Sequence, residues 1–454
     1  MKLIYTFGTD GIREKHPFLN EIIAYLVGKS FCKAINKKNK VVIGYDTRFN
    51  SYSMALAIAS ALVSEGFKVE LSRDYISTPA LAFITKYYNC YGFQITASHN
   101  PYNYNGIKIL FKGLKIDEKL EKEIELTLNS YLDSIHEDFS NYLNLFQKPT
   151  NSNNNFKISD LLKIYIDKIL VYIKNYLDNL KKYTIILDLS NGALSKYAPV
   201  IYRKLGAKVI TLNNKPDGFN INQNCGSTNI ESFKKQFIKL SKNYNNPIGL
   251  SFDGDGDRVI AIYKHNGQII TLDGDTILLI ISKYLKNELK MSIKSVALTH
   301  MSSLGIEKAF QEEGIKVIRT DVGDKYLTKQ ILENGVDMGA EQSGHIIIPP
   351  FLYTGDGILS SLFLLTSLKK IDPYPIIQNL QKYQQKLINI PVTDKKKFIN
   401  QNNDLFRKIS QNFPDVRIFV RPSGTEEVVR ILIESQDQQK IIQVQNIINQ
   451  EVRT

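Results

Sequence analysis

Val41-Val42-Ile43-Gly44-Tyr45-Asp46, then a helical stretch, then Glu65-Gly66-Phe67-Lys68-Val69-Glu70-Leu71 is the stretch that decides the fold. It reads as an apolar strand, a helix stopped by glycine, and a second apolar strand, which is the βαβ pattern. Residues 184 to 212 replay it, from Thr184-Ile185-Ile186-Leu187-Asp188 through a helix to Leu205-Gly206-Ala207-Lys208-Val209-Ile210. A third copy runs from Ser295-Val296-Ala297-Leu298-Thr299 to Glu313-Gly314-Ile315-Lys316-Val317-Ile318. Gly-x-Lys-Val recurs after each helix, which chance look-alikes explain poorly, so three related mixed α/β domains are expected.

Punctuation sets the boundaries. The Asn-rich runs Thr150 to Asn155 and Lys242 to Pro247, and the segment Lys369 to Pro375, read as linkers rather than elements. The expected units are 1–152, 153–247, 248–370 and 371–454. The last lacks the repeat; Val416 to Val420 and Val428 to Ile433 look like strand, loop, strand in a smaller C-terminal α+β domain. Four domains around a central cleft suit a chain of 454 residues, which exceeds what one core usually serves.

Composition narrows the function classes. Cys32, Cys90 and Cys225 form no CxxC pair and no even framework, which suits a reducing compartment. No apolar run is long enough for a signal peptide or a bilayer span, so the protein is expected to be cytoplasmic, with no membrane partner. The net charge of +13 comes from lysines scattered among Asn and Ile, without an aromatic-interleaved basic patch, and no nucleic acid is expected as a partner. A positive field would help attract a small anionic substrate.

Phe252-Asp253-Gly254-Asp255-Gly256-Asp257-Arg258 carries the most chemistry. Carboxylates about 4 Å apart repel by roughly 4 kcal/mol per pair at an effective dielectric near 20, so the cluster calls for a cation. In an extended loop Asp253, Asp255 and Asp257 point one way while the glycines let the backbone bend. Oxygen ligands favour Mg²⁺. A calcium loop of the EF-hand type fails, because Arg258 and Lys264 stand where Gly and a bidentate Glu are needed. A polar surface turn is the other reading, disfavoured by the apolar runs Ile248 to Phe252 and Val259 to Tyr263, which make this a loop between strands.

Four further loops hold reactive groups. Thr96-Ala97-Ser98-His99-Asn100-Pro101 follows the strand-like Gly92 to Ile95, where a scaffold positions functional side chains. Adjacent Ser and His do not present themselves to each other as nucleophile and base, and no Gly-x-Ser-x-Gly elbow is present. Arg421-Pro422-Ser423-Gly424-Thr425 offers a guanidinium fork, hydroxyls and a close backbone approach suited to phosphate. Gly339-Ala340-Glu341-Gln342-Ser343-Gly344-His345 offers polar groups for sugar hydroxyls or an amino group, and Phe7-Gly8-Thr9-Asp10-Gly11-Ile12-Arg13 has similar loop character.

Together the loops at 96–101, 253–258, 341–345 and 421–426 closely resemble the four signatures of the α-D-phosphohexomutases, in the family's order and across nearly the whole chain. The opening at Phe7 and Gln342 look most like the bacterial phosphoglucosamine mutase branch. The resemblance implies an isomerase, an intramolecular phosphotransferase that interconverts glucosamine 6-phosphate and glucosamine 1-phosphate through a phosphoserine and glucosamine 1,6-bisphosphate. It implies Ser98 as phosphoserine, with Mg²⁺ between Ser98 and Asp253, Asp255 and Asp257. It further implies Lys108 in proton transfer or charge neutralisation, and His99 and Arg13 as supports of the reacting group. Thr9, Arg258, Glu341, Ser343, Arg421, Ser423, Gly424 and Thr425 are implied on the substrate. Glu14, Ala340 and Glu427 stand where the family commonly has Gly, Gly and Pro. Two alternatives remain: a phosphomannomutase or phosphoglucomutase, and a catalytically silent sugar-phosphate binder.

Overall fold

A computed structural model describes residues 4–8, 10–35, 37–134, 154–380, 383–423 and 427–452. Thr9, Gly424 and Thr425, expected at the substrate, lie outside the described residues. The first sheet holds β1 (Ile12–Lys15), β2 (Lys40–Tyr45), β3 (Lys68–Ser72), β4 (Tyr91–Ile95), β5 (Tyr104–Phe111), β6 (Leu114–Lys115) and β7 (Phe156–Ser159), in the order β1-β5-β4-β2-β3-β7 with β6 on β5. The second holds β8 (Thr184–Asp188), β9 (Lys208–Leu212), β10 (Pro247–Phe252), β11 (Val259–His265) and β12 (Gln268–Leu272), ordered β12-β11-β10-β8-β9. The third holds β13 (Ser295–Thr299), β14 (Lys316–Thr320), β15 (Met338–Ala340) and β16 (Ile346–Ile347), ordered β14-β13-β15-β16.

The repeat read from the sequence is the framework. β2 pairs with β3, β8 with β9 and β13 with β14, each in parallel and each across one helix. Lys68, Lys208 and Lys316 open the second strand in all three. Gly66, Gly206 and Gly314 have φ of 82°, 93° and 66°, the left-handed turn that ends a helix at little cost only in glycine. The C-terminal sheet is antiparallel, with β17 (Gln384–Pro391), β18 (Arg417–Pro422) and β19 (Val428–Ser435) ordered β17-β19-β18 and packed on helices Lys395–Asn412 and Gln438–Glu451.

Two expected boundaries move. β7 lies beyond residue 153 yet pairs in parallel with β3, Val69 opposite Phe156, so the Asn-rich run interrupts the first sheet's chain rather than ending it. β10 to β12 lie beyond residue 247 yet extend the second sheet, β10 bonding to β8 with Leu250 opposite Leu187. The acidic loop therefore springs from the second sheet, not the third. Local punctuation cannot show which partner a later strand finds. The segment ending at Pro375 also enters a short helix, Tyr374–Leu380.

One core gathers Phe31, Phe67, Phe93 and Ile95 on one face of the first sheet, whereas a second, continuous core joins all three α/β units, from Val42 and Phe83 through Leu187 and Phe252 to Leu298 and Phe363. Shared burial of this kind makes separate motion of these units costly. Among the described residues no helix is long and apolar enough to cross a membrane.

Candidate active site

The parallel strands aim their C-terminal ends at one place, where open α/β sheets put their sites. Ser98 follows β4, the acidic loop follows β10 and Glu341 follows β15. Ser98 adopts φ 52°, uncommon for a residue with a side chain and costing on the order of 1–3 kcal/mol unless its surroundings fix it. They do. Its N–H donates to Thr96 Oγ1 at 2.9 Å, and its carbonyl accepts from Arg48 Nη2 at 3.0 Å and Asn222 Nδ2 at 2.8 Å.

Arg48 is buried and braced by Asp46 at 2.9 Å, and also donates to the carbonyls of Asn100 at 2.9 Å and Tyr104 at 3.0 Å. Neither Asp46, Arg48 nor Asn222 was singled out in the sequence. The available signal was a charged pair directly after a strand of the repeat, at a functional end of the sheet.

Ser98 Oγ lies 3.0 Å from Asp253 Oδ2, and 3.3 Å from His99 Nδ1. So the neighbouring His does face this hydroxyl, because the left-handed turn at Ser98 brings the two side chains together. Burial, then the charges of Arg258 and Arg13, push His99 down to about 3, so the ring is neutral at neutral pH.

One oxygen from each of Asp253, Asp255 and Asp257 lies within 4.8 Å of the others, all buried. Burial and the charges of Asp257 and Asp255 push the Asp253 carboxyl well up. Asp255 is held low: burial opposes this, but the Lys108 ammonium 2.8 Å away prevails. Asp255 Oδ1 and Asp257 Oδ1 are buried without a hydrogen-bond donor. Crowded carboxylate oxygens lacking donors fit a hard divalent cation, and these three residues could hold one such as Mg²⁺.

Lys108, on β5, is buried against Asp10 at 2.6 Å, Asp255 at 2.8 Å and Asp257 at 3.7 Å. Burial alone would lower it; these carboxylates raise it and keep it charged. Arg13 pairs with Asp10 as well, and Arg258 approaches Asp257 at 3.8 Å.

The third sheet's loop abuts the acidic one. Gly344 O accepts from Val259 N at 3.0 Å, and Arg258 bridges to His345. Glu341 is buried, with Oε1 accepting from Gly323 N–H at 3.0 Å and Oε2 lying 3.4 Å from Ser343 Oγ; Ser343 itself is exposed. In the C-terminal unit Arg421 stands directly opposite Arg430, a neighbour the sequence reading missed, and burial followed by that like charge lowers Arg421. Two guanidiniums side by side suit an anion. Ser423 N donates to Val428 O at 2.9 Å, and Lys395 Nζ donates to Ser423 O at 2.7 Å.

This arrangement has known relatives. Models of the phosphoglucomutase/phosphomannomutase family match the chain in sequence: α/β/α domain I over 5–133, domain II over 163–267, domain III over 273–385, and the C-terminal domain over 387–451. The chain is 37% identical to a phosphoglucosamine mutase of Thermodesulfovibrio yellowstonii over 458 residues, covering 96% of each. It is 38% identical to one from Dictyoglomus turgidum over 447 residues, covering 94% of this chain and 93% of the relative. A crystal structure of a phosphoglucomutase/phosphomannomutase family protein from Burkholderia thailandensis superposes with TM-score 0.77 at 20% identity, covering 98% of this chain and 97% of that one. The chain belongs to the phosphoglucomutase/phosphomannomutase family, and its activity is of the phosphomutase type.

Proposed function

We propose that the protein interconverts glucosamine 6-phosphate and glucosamine 1-phosphate through a phosphorylated Ser98. The observation that carries this reading is the 3.0 Å approach of Ser98 Oγ to Asp253, which sets a hydroxyl beside a triad built for a metal. The choice of amino sugar rests on the relatives named above, each a phosphoglucosamine mutase matched over more than nine-tenths of both chains.

In the forward direction a lone pair on the sugar's O1 attacks the phosphorus of phosphoserine 98. The new O–P bond forms as the Oγ–P bond breaks, and the O1 proton passes, directly or through solvent, to the departing Oγ, so that Ser98 recovers its hydroxyl. Glucosamine 1,6-bisphosphate then turns over in the cleft, and Ser98 Oγ attacks the phosphorus on O6: the Oγ–P bond forms as the O6–P bond breaks, the Ser98 proton passes to O6, and glucosamine 1-phosphate leaves the rephosphorylated serine. Mg²⁺, held by Ser98, Asp253, Asp255 and Asp257, would supply charge neutralisation for the moving phosphoryl group. Phosphoryl transfer asks mainly for positioning and charge stabilisation. Lys108, kept charged by its three carboxylates, neutralises developing charge and is not a base. His99, neutral, keeps Nδ1 3.3 Å from Ser98 Oγ, whose own proton goes to Asp253, and Arg13 orders Asp10 beside Lys108. Glu341 and Ser343 take the sugar hydroxyls or amino group, and Thr9 and Arg258 support the substrate. Arg421, Ser423, Gly424 and Thr425 grip the phosphate that is not moving.

Turnover of glucosamine, mannose and glucose 6-phosphates on one preparation tests this, read by phosphorus NMR. Glucosamine phosphate should be converted fastest, and Ser98→Ala should lose both turnover and the phosphoryl mass on the intact protein. Faster conversion of mannose or glucose phosphate would give the enzyme to the other branch. Binding without turnover of any would leave a silent sugar-phosphate binder.

A further inference from the structure

Lys108 is held by three carboxylates, but only Asp255 and Asp257 belong to the metal triad; the third, Asp10, has other attachments. Its Oδ2 meets Lys108 Nζ at 2.6 Å, while its Oδ1 meets Lys115 Nζ, also at 2.6 Å. Lys115, on β6 of the first sheet, reaches on to Asp324 Oδ1 at 2.7 Å. Asp324 opens the helix Asp324–Asn334 of the third unit, 209 residues further along the chain. The preceding residue, Gly323, donates its N–H to Glu341 Oε1 at 3.0 Å. A run of alternating charges thus joins the sugar loop's anchor to the buried lysine: Asp324, Lys115, Asp10, Lys108, Asp255.

The run also closes on itself. Asp257 lies 3.9 Å from His345 Nδ1, and Asp324 Oδ2 lies 4.0 Å from His345 Nε2. That last edge is a packing contact, since His345 Nε2 already accepts from Gly355 N–H at 3.0 Å.

We propose that Lys115 and Asp324 are positioning residues for Lys108, a latch between the first and third units that sets where its ammonium stands when the sugar loop is engaged. A lysine is a point charge on four rotatable carbons and is placed only by what it pairs with. Asp10 sits on the short loop before β1, whose turn is closed by Gly8 N to Gly11 O at 3.0 Å, and its carboxylate is shared by Lys108 and Arg13 on Oδ2 and by Lys115 on Oδ1. With Lys115 drawn toward Asp324, Asp10 is pulled from both sides and Lys108 is fixed along that line. With Lys115 gone, Oδ1 loses its anchor, and Asp10, held only through Oδ2 by Arg13 and Lys108, is free to pivot about that oxygen. Neither Lys115 nor Asp324 needs to touch the sugar for this. The loss would therefore fall on the transfer step and not on binding, because small misplacements of a charge-neutralising group act on the transition state.

The inference rests on the mutase reading and is separable from it. Steady-state kinetics on glucosamine 6-phosphate should show kcat lower by about 10-fold in Lys115→Met and in Asp324→Asn, with KM within about 2-fold of wild type. Lys115→Arg should recover most of the loss. Because both act through one ion pair, the double variant should be no worse than the poorer single, a non-additivity that unrelated damage would not give. Unchanged kcat in the single variants, a rise in KM alone, or additive losses would each overturn the latch. Were Lys115→Met to melt below the assay temperature, Asp324→Asn, which leaves Lys115 on Asp10, decides the matter by the same kcat and KM criteria. A wild type silent on every hexose phosphate would sink the mutase reading and the latch together; an active wild type with unaffected variants would sink the latch alone.

Discussion

Gly254 lies so close to Ser98 that a Cβ built on it would stand 2.6 Å from the Ser98 carbonyl oxygen. The second sheet's acidic loop therefore touches the backbone of the first sheet's nucleophile loop, and the Ser98–Asp253 contact follows from that approach. Gly254→Ala must push the two loops apart. We expect it to cost roughly 1–3 kcal/mol of stability by overpacking and to lower kcat at least about 10-fold through the displaced hydroxyl. Thermal melting and turnover measured together check this; an alanine variant with wild-type kcat would mean that the spacing is not critical.

The triad makes a prediction of opposite sign for stability and activity. Burial with Asp257 and Asp255 nearby destabilises the charged Asp253, so Asp253→Asn should relieve repulsion in chelator-treated protein by about 1–2 kcal/mol. Asn can still accept the Gly256 and Arg258 N–H bonds that Asp253 Oδ1 accepts at 3.1 and 3.3 Å. It is a poorer metal ligand. In excess Mg²⁺ the wild type should gain stability and the variant little, and the variant should be inactive. Melting curves that do not respond to Mg²⁺ in either protein would argue against a cation at the triad.

Much of this was legible from residues alone. The βαβ repeat showed because glycine at 66, 206 and 314 is demanded by a left-handed turn, a local requirement that leaves a local trace. The four loops showed because their chemistry is dense. Sheet membership did not, since whether β10 adds to β8 or opens a new sheet depends on pairing across some 60 residues. Asp46, Arg48, Asn222, Lys115 and Asp324 were missed for the same reason. Each is an ordinary polar residue in its own neighbourhood and becomes significant only through partners far along the chain.

Asp356 gives the pH dependence. It caps the helix Gly357–Ser367, accepting from Leu359 N at 3.1 Å and from Tyr165 OH at 2.7 Å, and the next residue's N–H reaches Gly256 O in the acidic loop at 3.1 Å. Burial, outweighing those hydrogen bonds, pushes its carboxyl up to about 6 from an ordinary 3.8. A raised folded-state value means that the protonated form favours folding. Its contribution is fully present below about pH 4 and is lost as pH rises through about 6, up to about 3 kcal/mol in all. Asp356→Asn removes the titration. The stability of the variant relative to wild type should therefore grow between pH 4 and pH 6, and a difference flat across that window would show that Asp356 titrates normally.

Arg48 yields the last expectation. Its guanidinium satisfies the carbonyls of Ser98, Asn100 and Tyr104 while paired to Asp46, which in turn accepts from Thr96 Oγ1 at 2.7 Å. Lysine keeps the charge but not the planar fork, so Arg48→Lys cannot serve carbonyls on several sides at once. The left-handed Ser98 then loses part of what holds it, and its hydroxyl no longer stays against Asp253. We expect kcat to fall by about 100-fold or more while stability falls by only ~1–2 kcal/mol, because the charge on Asp46 remains neutralised. Arg48→Met, which strands that buried carboxylate, should cost roughly 3–5 kcal/mol. Melting and turnover of the two variants separate the effects: comparable destabilisation by Lys and Met would show that the fork, not the charge, carries the stability, and an active Arg48→Lys would show that Ser98 is positioned by other contacts.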